Sequence, residues 1–183
     1  MVETPDGAIW FSDDDRIWKV TPQKDLLEKA TKQSSANIEP SCQAIPMPTV
    51  SGLSDELLHI YNICFTQNKR LLLGTSRGLY RMDIERQKIE LEGLPDAEIY
   101  LINQSPAGQI LARNGSTEFK QITIWDEKEG IQNSRTVPLK NNLYLSNSSK
   151  NSVFDAAGLL WIAQNNILQR YQLQRFFDKA PPD

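Results

Sequence analysis

The same two-strand motif occurs four times in this chain, and that recurrence restricts its fold more than any other feature. An apolar stretch anchored at Trp10, Leu72, Leu111 or Trp161 is followed nine residues later, without a gap, by a basic residue: Lys19, Arg81, Lys120 or Arg170. Around the anchors stand "AIWFS", "LLLGT", "ILARN" and "LWIAQ", and around the basic residues "IWKV", "LYRM", "FKQI" and "LQRY". Turn formers lie between the halves, such as Asp13 to Asp15, Thr75 to Gly78, and Gln164 to Asn166. Asp, Asn, Ser and Gly suit tight turns because they bond their own backbone or tolerate positive φ. Each unit therefore reads as a β-hairpin. The third departs most, with Glu118 where the others place Ile17, Leu79 and Leu168.

Further strands flank the hairpins. "LLHIYNICF", "EIYLIN" and "NSVFD" precede the last three, while "QKIELE" and "IQNSRTVPL" follow the second and third. The unit is four short antiparallel strands, and the anchors are 62, 39 and 50 residues apart, which brackets the period of a propeller blade. A lone sheet with apolar side chains on both faces cannot shield them, so it must stack on a neighbour. The expected fold is all-β, a partial β-propeller of about four four-stranded antiparallel blades in a single domain over residues 1–183. Its units cover about residues 1–22, 52–92, 93–139 and 145–178, with an insertion at 23–51. Trp10, Trp161 and the Leu71 to Leu73 run are assigned to packing between blades.

Within the insertion, "KDLLEKATKQ" has the spacing of a short amphipathic helix, with Leu26, Leu27 and Ala30 on one side. The prolines of "PSCQAIPMP" predict irregular backbone. Ahead of the first hairpin stands only "MVETPD", whose "VET" resembles the tail of an inner strand, and "RFFDKAPPD" leaves the last hairpin. The expectation is a fragment, or half of a ring completed by another chain, since an open sheet face and strand edge are costly to expose. A closed four-bladed ring would need the last unit to donate a strand to the first.

The formal charge of −3 over 183 residues offers no electrostatic reason to expect nucleic acid or an anionic membrane as partner. No apolar run is long enough for a membrane helix, and the first residues lack the layout of a secretory signal. Cys42 and Cys64 match no metal or redox motif; Cys64, within "YNICF", reads as a small buried thiol. The sole histidine, His59, lies beside Leu57, Leu58 and Ile60 and reads as a structural residue of an inner strand. Asp13 to Asp15 lack the spacing of a calcium loop, and no phosphate loop, nucleophile elbow or zinc spacing is present. No catalytic, metal or cofactor-binding residue is assigned, and no cofactor is expected.

With these residues in view, the chain resembles the two-component regulator propeller repeat. That repeat combines Gly-Leu-Pro-Asp, an inner strand, Asp-x-x-Gly-x-hydrophobic-Trp-hydrophobic-Gly-Thr, and Gly-Leu-aromatic-Arg-hydrophobic-Asp. Here "GLSD" precedes "RLLLGTSRGLYRMD", "GLPD" precedes "SPAGQILARN", and "TPDGAIWFS" and "DAAGLLWIAQ" carry the Gly and Trp positions. The resemblance implies a non-catalytic sensing domain on the periplasmic side of a bacterial two-component protein, with a small ligand, such as a saccharide, as partner. A protein-interaction scaffold is the alternative, with another chain or further blades as partner. "TPDGAIWF", "RI" and "V" of the first unit are also similar to the streptogramin lyases, which would imply a metal-dependent enzyme. Such chemistry needs a base and cation ligands on one face, and His59 has no second histidine to cooperate with it.

Overall fold

Alternating apolar residues bounded by tight turns become strands here, and four sheets result. The computed structural model describes residues 1–13, 16–21, 41–46, 58–86, 88–114, 121–138, 152–164 and 167–172. The first sheet comprises β1 (Val2–Glu3), β2 (Ile9–Asp13), β3 (Arg16–Thr21) and β4 (Ser41–Pro46). The second comprises β5 (Ile60–Phe65), β6 (Leu71–Thr75), β7 (Gly78–Asp83) and β8 (Lys88–Gly93). The third holds β9 (Ile99–Gln104), β10 (Gln109–Asn114), β11 (Gln121–Asp126) and β12 (Arg135–Pro138), with a 3-10 turn at Ile131–Asn133. The fourth holds β13 (Ser152–Phe154), β14 (Leu159–Gln164) and β15 (Ile167–Gln172). Each sheet is an antiparallel meander in sequence order. The first strands of successive sheets lie side by side, β1 on β5, β5 on β9 and β9 on β13. This is the blade arrangement of a β-propeller.

Three of the four expected anchor pairs face each other across their hairpins: Trp10 with Lys19, Leu72 with Arg81, and Trp161 with Arg170. The third corrects the sequence expectation, because Leu111 pairs with Ile124 and not Lys120. Ile122, opposite Arg113, takes the place assigned to Glu118, and residues 115–120 lie outside the described residues. The shift is even, so side-chain parity is kept, and it buries Ile122 and Ile124 where the shorter register would have buried Glu118 and Lys120.

A second correction concerns "PSCQAIPMP". Its residues Ser41–Pro46 form β4, paired from Thr21 with Ser41 to Arg16 with Pro46. Proline is tolerated here because β4 is an edge strand with Pro46 at its last position, where no ladder donor is required. The first sheet thus takes its fourth strand from the span assigned to the insertion. "KDLLEKATKQ" and "GLSD" lie outside the described residues.

An identical turn stands six residues before every anchor. The amides of Gly7, Lys69, Gly108 and Gly158 donate to the carbonyls of Thr4, Thr66, Ser105 and Asp155 at 2.8–2.9 Å. The fourth turn residue has positive φ in all four: 80° at Gly7, 59° at Lys69, 89° at Gly108 and 78° at Gly158. Three units use glycine, which enters this region without a Cβ clash, and the second uses lysine, which does not.

Three apolar clusters lie between successive sheets. Trp10 and Ile17 of the first pack with Leu71, Leu73 and Met82 of the second. Leu72 and Leu79 of the second meet Ile99, Ile110 and Trp125 of the third. Leu111, Ile122 and Ile124 of the third meet Leu160 of the fourth. The anchor side therefore faces the next blade, and the residues flanking the anchor face the preceding one. By this rule Trp161 faces away from the third blade, and it belongs to none of the three clusters. Its ring is half-buried, its Nε1 donates to Asp155 Oδ2 at 2.7 Å, and Arg170 lies over it at 5.8 Å.

Polar bonds index the stack. Asn62 Oδ1 accepts from the Ile102 amide at 3.0 Å, and Asn103 Nδ2 donates to Ser152 Oγ at 2.7 Å. Blades two and three approach so closely at Gly74 that a Cβ there would sit 2.5 Å from the Ile99 carbonyl oxygen. Gly74→Ala should lower stability by about 1–3 kcal/mol, read as a reduced denaturant midpoint. Lys69→Gly should raise stability by up to about 1 kcal/mol, since relief of the left-handed strain exceeds the added flexibility of the unfolded chain.

Candidate functional site

The turns that open the first two blades, together with the β7–β8 connection, enclose a cleft of about 710 Å³ between those blades. Trp10, Phe65, Met82 and Ile84 supply its apolar lining. Six cationic side chains also line it, Lys19, Lys69, Arg70, Arg81, Arg86 and Lys88, against four carboxylates, Asp6, Asp83, Glu85 and Glu90. A local excess of positive charge thus stands on a chain whose formal charge is −3.

Much of this charge is internally committed. Arg81 pairs with Glu90 at 3.1 Å and Glu92 at 3.3 Å, Lys88 with Glu90 at 2.6 Å, Arg70 with Glu92 at 3.7 Å, and Arg86 with Asp83 at 3.9 Å. Lys19 and Lys69 make no ion pair among the described residues. Lys19 lies over the buried Trp10 ring, 5.3 Å from its centroid, a cation–π contact that steadies the ammonium. Lys69 is exposed on its positive-φ turn. A strained backbone at a site lining a cleft is a pointer to function rather than to stability.

The carboxylates of the cleft are acceptors. Asp6 is held below the usual range by a hydrogen bond from the Thr4 hydroxyl, Asp83 by the Arg86 amide, and Glu90 by hydrogen bonds from Lys88 and Arg81. All three are ionised at neutral pH, so none is suited to donate a proton as a general acid. What the arrangement does chemically is present two ammonium groups beside the half-buried Phe65 and Ile84, which fits recognition of a small anion with an apolar face.

The turn carrying Lys69 is anchored to the third blade. Glu127, only 6 % exposed, accepts hydrogen bonds from Thr66 Oγ1 and, at 2.6 Å, from Gln104 Nε2. Gln104 Oε1 in turn accepts from the Gln67 amide at 2.7 Å. A polar network centred on the buried Glu127 and Thr66 fixes local geometry.

His59 does not belong to this cleft. It stands exposed immediately before β5, not within the inner strand as expected, while Phe65, at the other end of β5, lines the cleft. Its carbonyl accepts from the Ser76 amide at 3.0 Å and its amide donates to Ser76 Oγ at 3.3 Å. Asp13 is exposed in its hairpin, and Asp14 and Asp15 lie outside the described residues. Among the described residues no group of three or more His, Cys, Asp and Glu is placed to hold a metal ion. Burial, with a smaller effect from the Glu127 charge, pushes the Cys64 thiol up to about 12, so it is no nucleophile. A second polar cluster, at the opposite end of the inner strands, welds blades two and three. Tyr61 stacks on Tyr100 at 4.7 Å, and buried Arg113 lies 5.4 Å from the Tyr100 ring.

Sequence reasoning used Lys19 and Arg81 only as register markers and passed over Lys69. The signal was present: "TQNKR" occupies the turn that elsewhere reads "TPDGA", "SPAGQ" and "DAAGL", with lysine in the glycine position.

No protein-family model matches the sequence, and no curated protein matches it. Solved structures do resemble the fold. The extracellular domain of a putative hybrid two-component system from B. thetaiotaomicron matches with TM-score 0.60 and 13 % identity, over 92 % of this chain and 20 % of that one. The extracellular domain of a putative one-component system from the same organism matches with TM-score 0.58 and 15 % identity, over 96 % of this chain and 23 % of that one. Catalytically inactive virginiamycin B lyase from Staphylococcus aureus, with quinupristin, gives TM-score 0.53 and 15 % identity, over 94 % of this chain and 54 % of that one. The chain thus spans only about a fifth to a half of the length of these proteins. Both propeller groups singled out from the sequence motifs, the two-component sensors and the streptogramin lyases, are among its structural neighbours.

Proposed function

We propose that this chain is a non-catalytic recognition module of the kind found in the extracellular part of two-component sensors, and that the cleft between its first two blades takes a small acidic saccharide. The observation that carries this reading is the pair of lysines, Lys19 and Lys69, lining one cleft with no salt bridge among the described residues, Lys19 having only the longer-range attraction of Asp6. An ammonium without a salt bridge is available to an external anion, and the half-buried Phe65 and Ile84 supply apolar lining against which a sugar ring rests. The strained turn at Lys69 supports the same reading, because glycine at that position would be the choice for stability alone. Likeness to extracellular sensor domains supports a place outside the membrane. No helix among the described residues is long and apolar enough to cross a membrane.

A panel of uronate, sulfated and neutral oligosaccharides, titrated calorimetrically and by thermal shift, tests this. Acidic members should bind and raise the melting temperature, since a ligand selective for the folded state stabilises it, and binding should weaken as salt screens the lysines. Lys69→Gly should bind about tenfold more weakly, corresponding to about 1.4 kcal/mol, while folding at least as stably as the parent. Equal binding of neutral sugars, or undiminished binding by a Lys19→Ala, Lys69→Gly double variant, would overturn the assignment. Ligand recovered with a bond cleaved would favour the lyase reading instead, and His59→Ala should alter neither binding nor ligand integrity.

A further inference from the structure

At the end of the inner strands opposite the cleft, the second and third blades carry the same irregularity. In β5 the pairing with β6 steps from Ile60 with Thr75 to Asn62 with Gly74, and in β9 the pairing with β10 steps from Ile99 with Asn114 to Leu101 with Arg113. The unopposed residue is a tyrosine in both, Tyr61 or Tyr100. A bulge re-aims the side chain it carries, and here the two rings stack with centroids 4.7 Å apart. Tyr100 Oη donates to Glu98 Oε2 at 2.6 Å. Burial first, then the charge and hydrogen bond of Glu98, push the Tyr61 phenol up, and burial followed by the Glu98 hydrogen bond pushes Tyr100 up to about 12. Both phenols thus keep their protons at neutral pH, with Glu98 as acceptor. The connection that delivers Glu98 has two residues other than glycine at positive φ, Leu94 at 51° and Asp96 at 60°, and strain of this kind gathers at binding sites. Joining two blades does not call for these groups. Phenylalanines would stack as well, without desolvating two hydroxyls and a carboxylate.

We propose that Tyr61, Tyr100 and Glu98 form a second binding site, which takes the ammonium group of a small primary amine. A phenol that donates its one proton retains lone pairs on oxygen, and a carboxylate only accepts. The cluster therefore offers three acceptors, one of them charged, on three partly exposed residues. Tyr61 and the guanidinium of buried Arg113 lie against the Tyr100 ring, 4.7 and 5.4 Å from its centroid. A ligand accordingly meets the cluster at its oxygens and not on a ring face. A primary ammonium brings three N–H donors on one charged nitrogen, which matches that set, and its bond to the carboxylate is charge-assisted. A quaternary ammonium lacks the donors, and an amide lacks the charge. The site is independent of the anion assigned to the cleft, since the cleft lies at the other end of the inner strands.

Calorimetric titration with glucosamine, butylamine, N-acetylglucosamine and tetramethylammonium, at a mildly acidic pH where both primary amines are protonated, tests it. Glucosamine and butylamine should bind saturably, and the other two should not. Glu98→Gln should weaken amine binding at least about tenfold, because the amide oxygen still accepts from the phenols while the charge is gone. A Tyr61→Phe, Tyr100→Phe double variant, which keeps the stack, should weaken it as well. Melting curves establish that each variant is folded, and the panel on the parent decides by itself where one is not. The Lys19→Ala, Lys69→Gly double variant should bind amines as the parent does, which separates this site from the cleft. Absence of saturable binding by both primary amines would overturn the proposal. So would equal binding of tetramethylammonium or N-acetylglucosamine, undiminished affinity in folded Glu98→Gln, or loss of amine binding in the lysine double variant.

Discussion

Sheets that are apolar on both faces set the terms for this molecule. A four-stranded meander with Leu71 and Leu73 on one side and Leu72 on the other gains about 1.5–3 kcal/mol for each such side chain fully buried, and it does so only if a sheet covers each face. Stacking is thus the condition of folding rather than a later association of folded units. Other features follow from it: like registers in successive hairpins, glycine at position 74 where two backbones nearly touch, and asparagines that lock one blade to the next.

Once the stack exists, its seams become the places where chemistry collects. Between the first and second blades the apolar packing ends before the turns do, leaving a cleft whose floor is the buried Trp10 and whose rim is charged. The same repeat that builds the core positions this site, because the turn before each anchor always arrives at the same end of its blade. Replacing the glycine of one turn by Lys69 adds an ammonium to the cleft at the cost of local strain. Glu127, tied to Thr66 and Gln104, holds that turn where it is. The first-blade contribution, Lys19 over Trp10, is the basic residue of the repeated motif itself, so one motif serves both the register and the rim.

Legibility followed the same division. Three hairpin registers could be read directly, because the anchor and its basic partner are separated by short turns of recognisable composition. The third could not: its connection is longer by four residues, and an even shift leaves the alternation of faces unchanged, so the pattern alone does not separate the two registers. The prolines around Ser41–Pro46 concealed an edge strand, because what excludes proline from a sheet is the need for an amide donor, and an edge position lacks that need. The cleft was legible only as an anomaly, lysine in a glycine position, since distances between side chains of different repeats are not encoded in the spacing of either.

The sequence by itself determined that the chain forms repeated antiparallel hairpins and that these must stack, because alternation and turn chemistry are local and the hydrophobic burden of each unit exceeds what it can hide alone. Which side of each sheet meets which neighbour, and hence that Trp161 faces away from the third blade while Trp10 is sealed, was decided only in the tertiary structure. So was the meeting of Lys19 and Lys69, fifty residues apart in sequence, at one cleft. The reason is physical: local rules settle what a strand can be, but only the stacking of whole sheets settles which faces are consumed and which remain to bind.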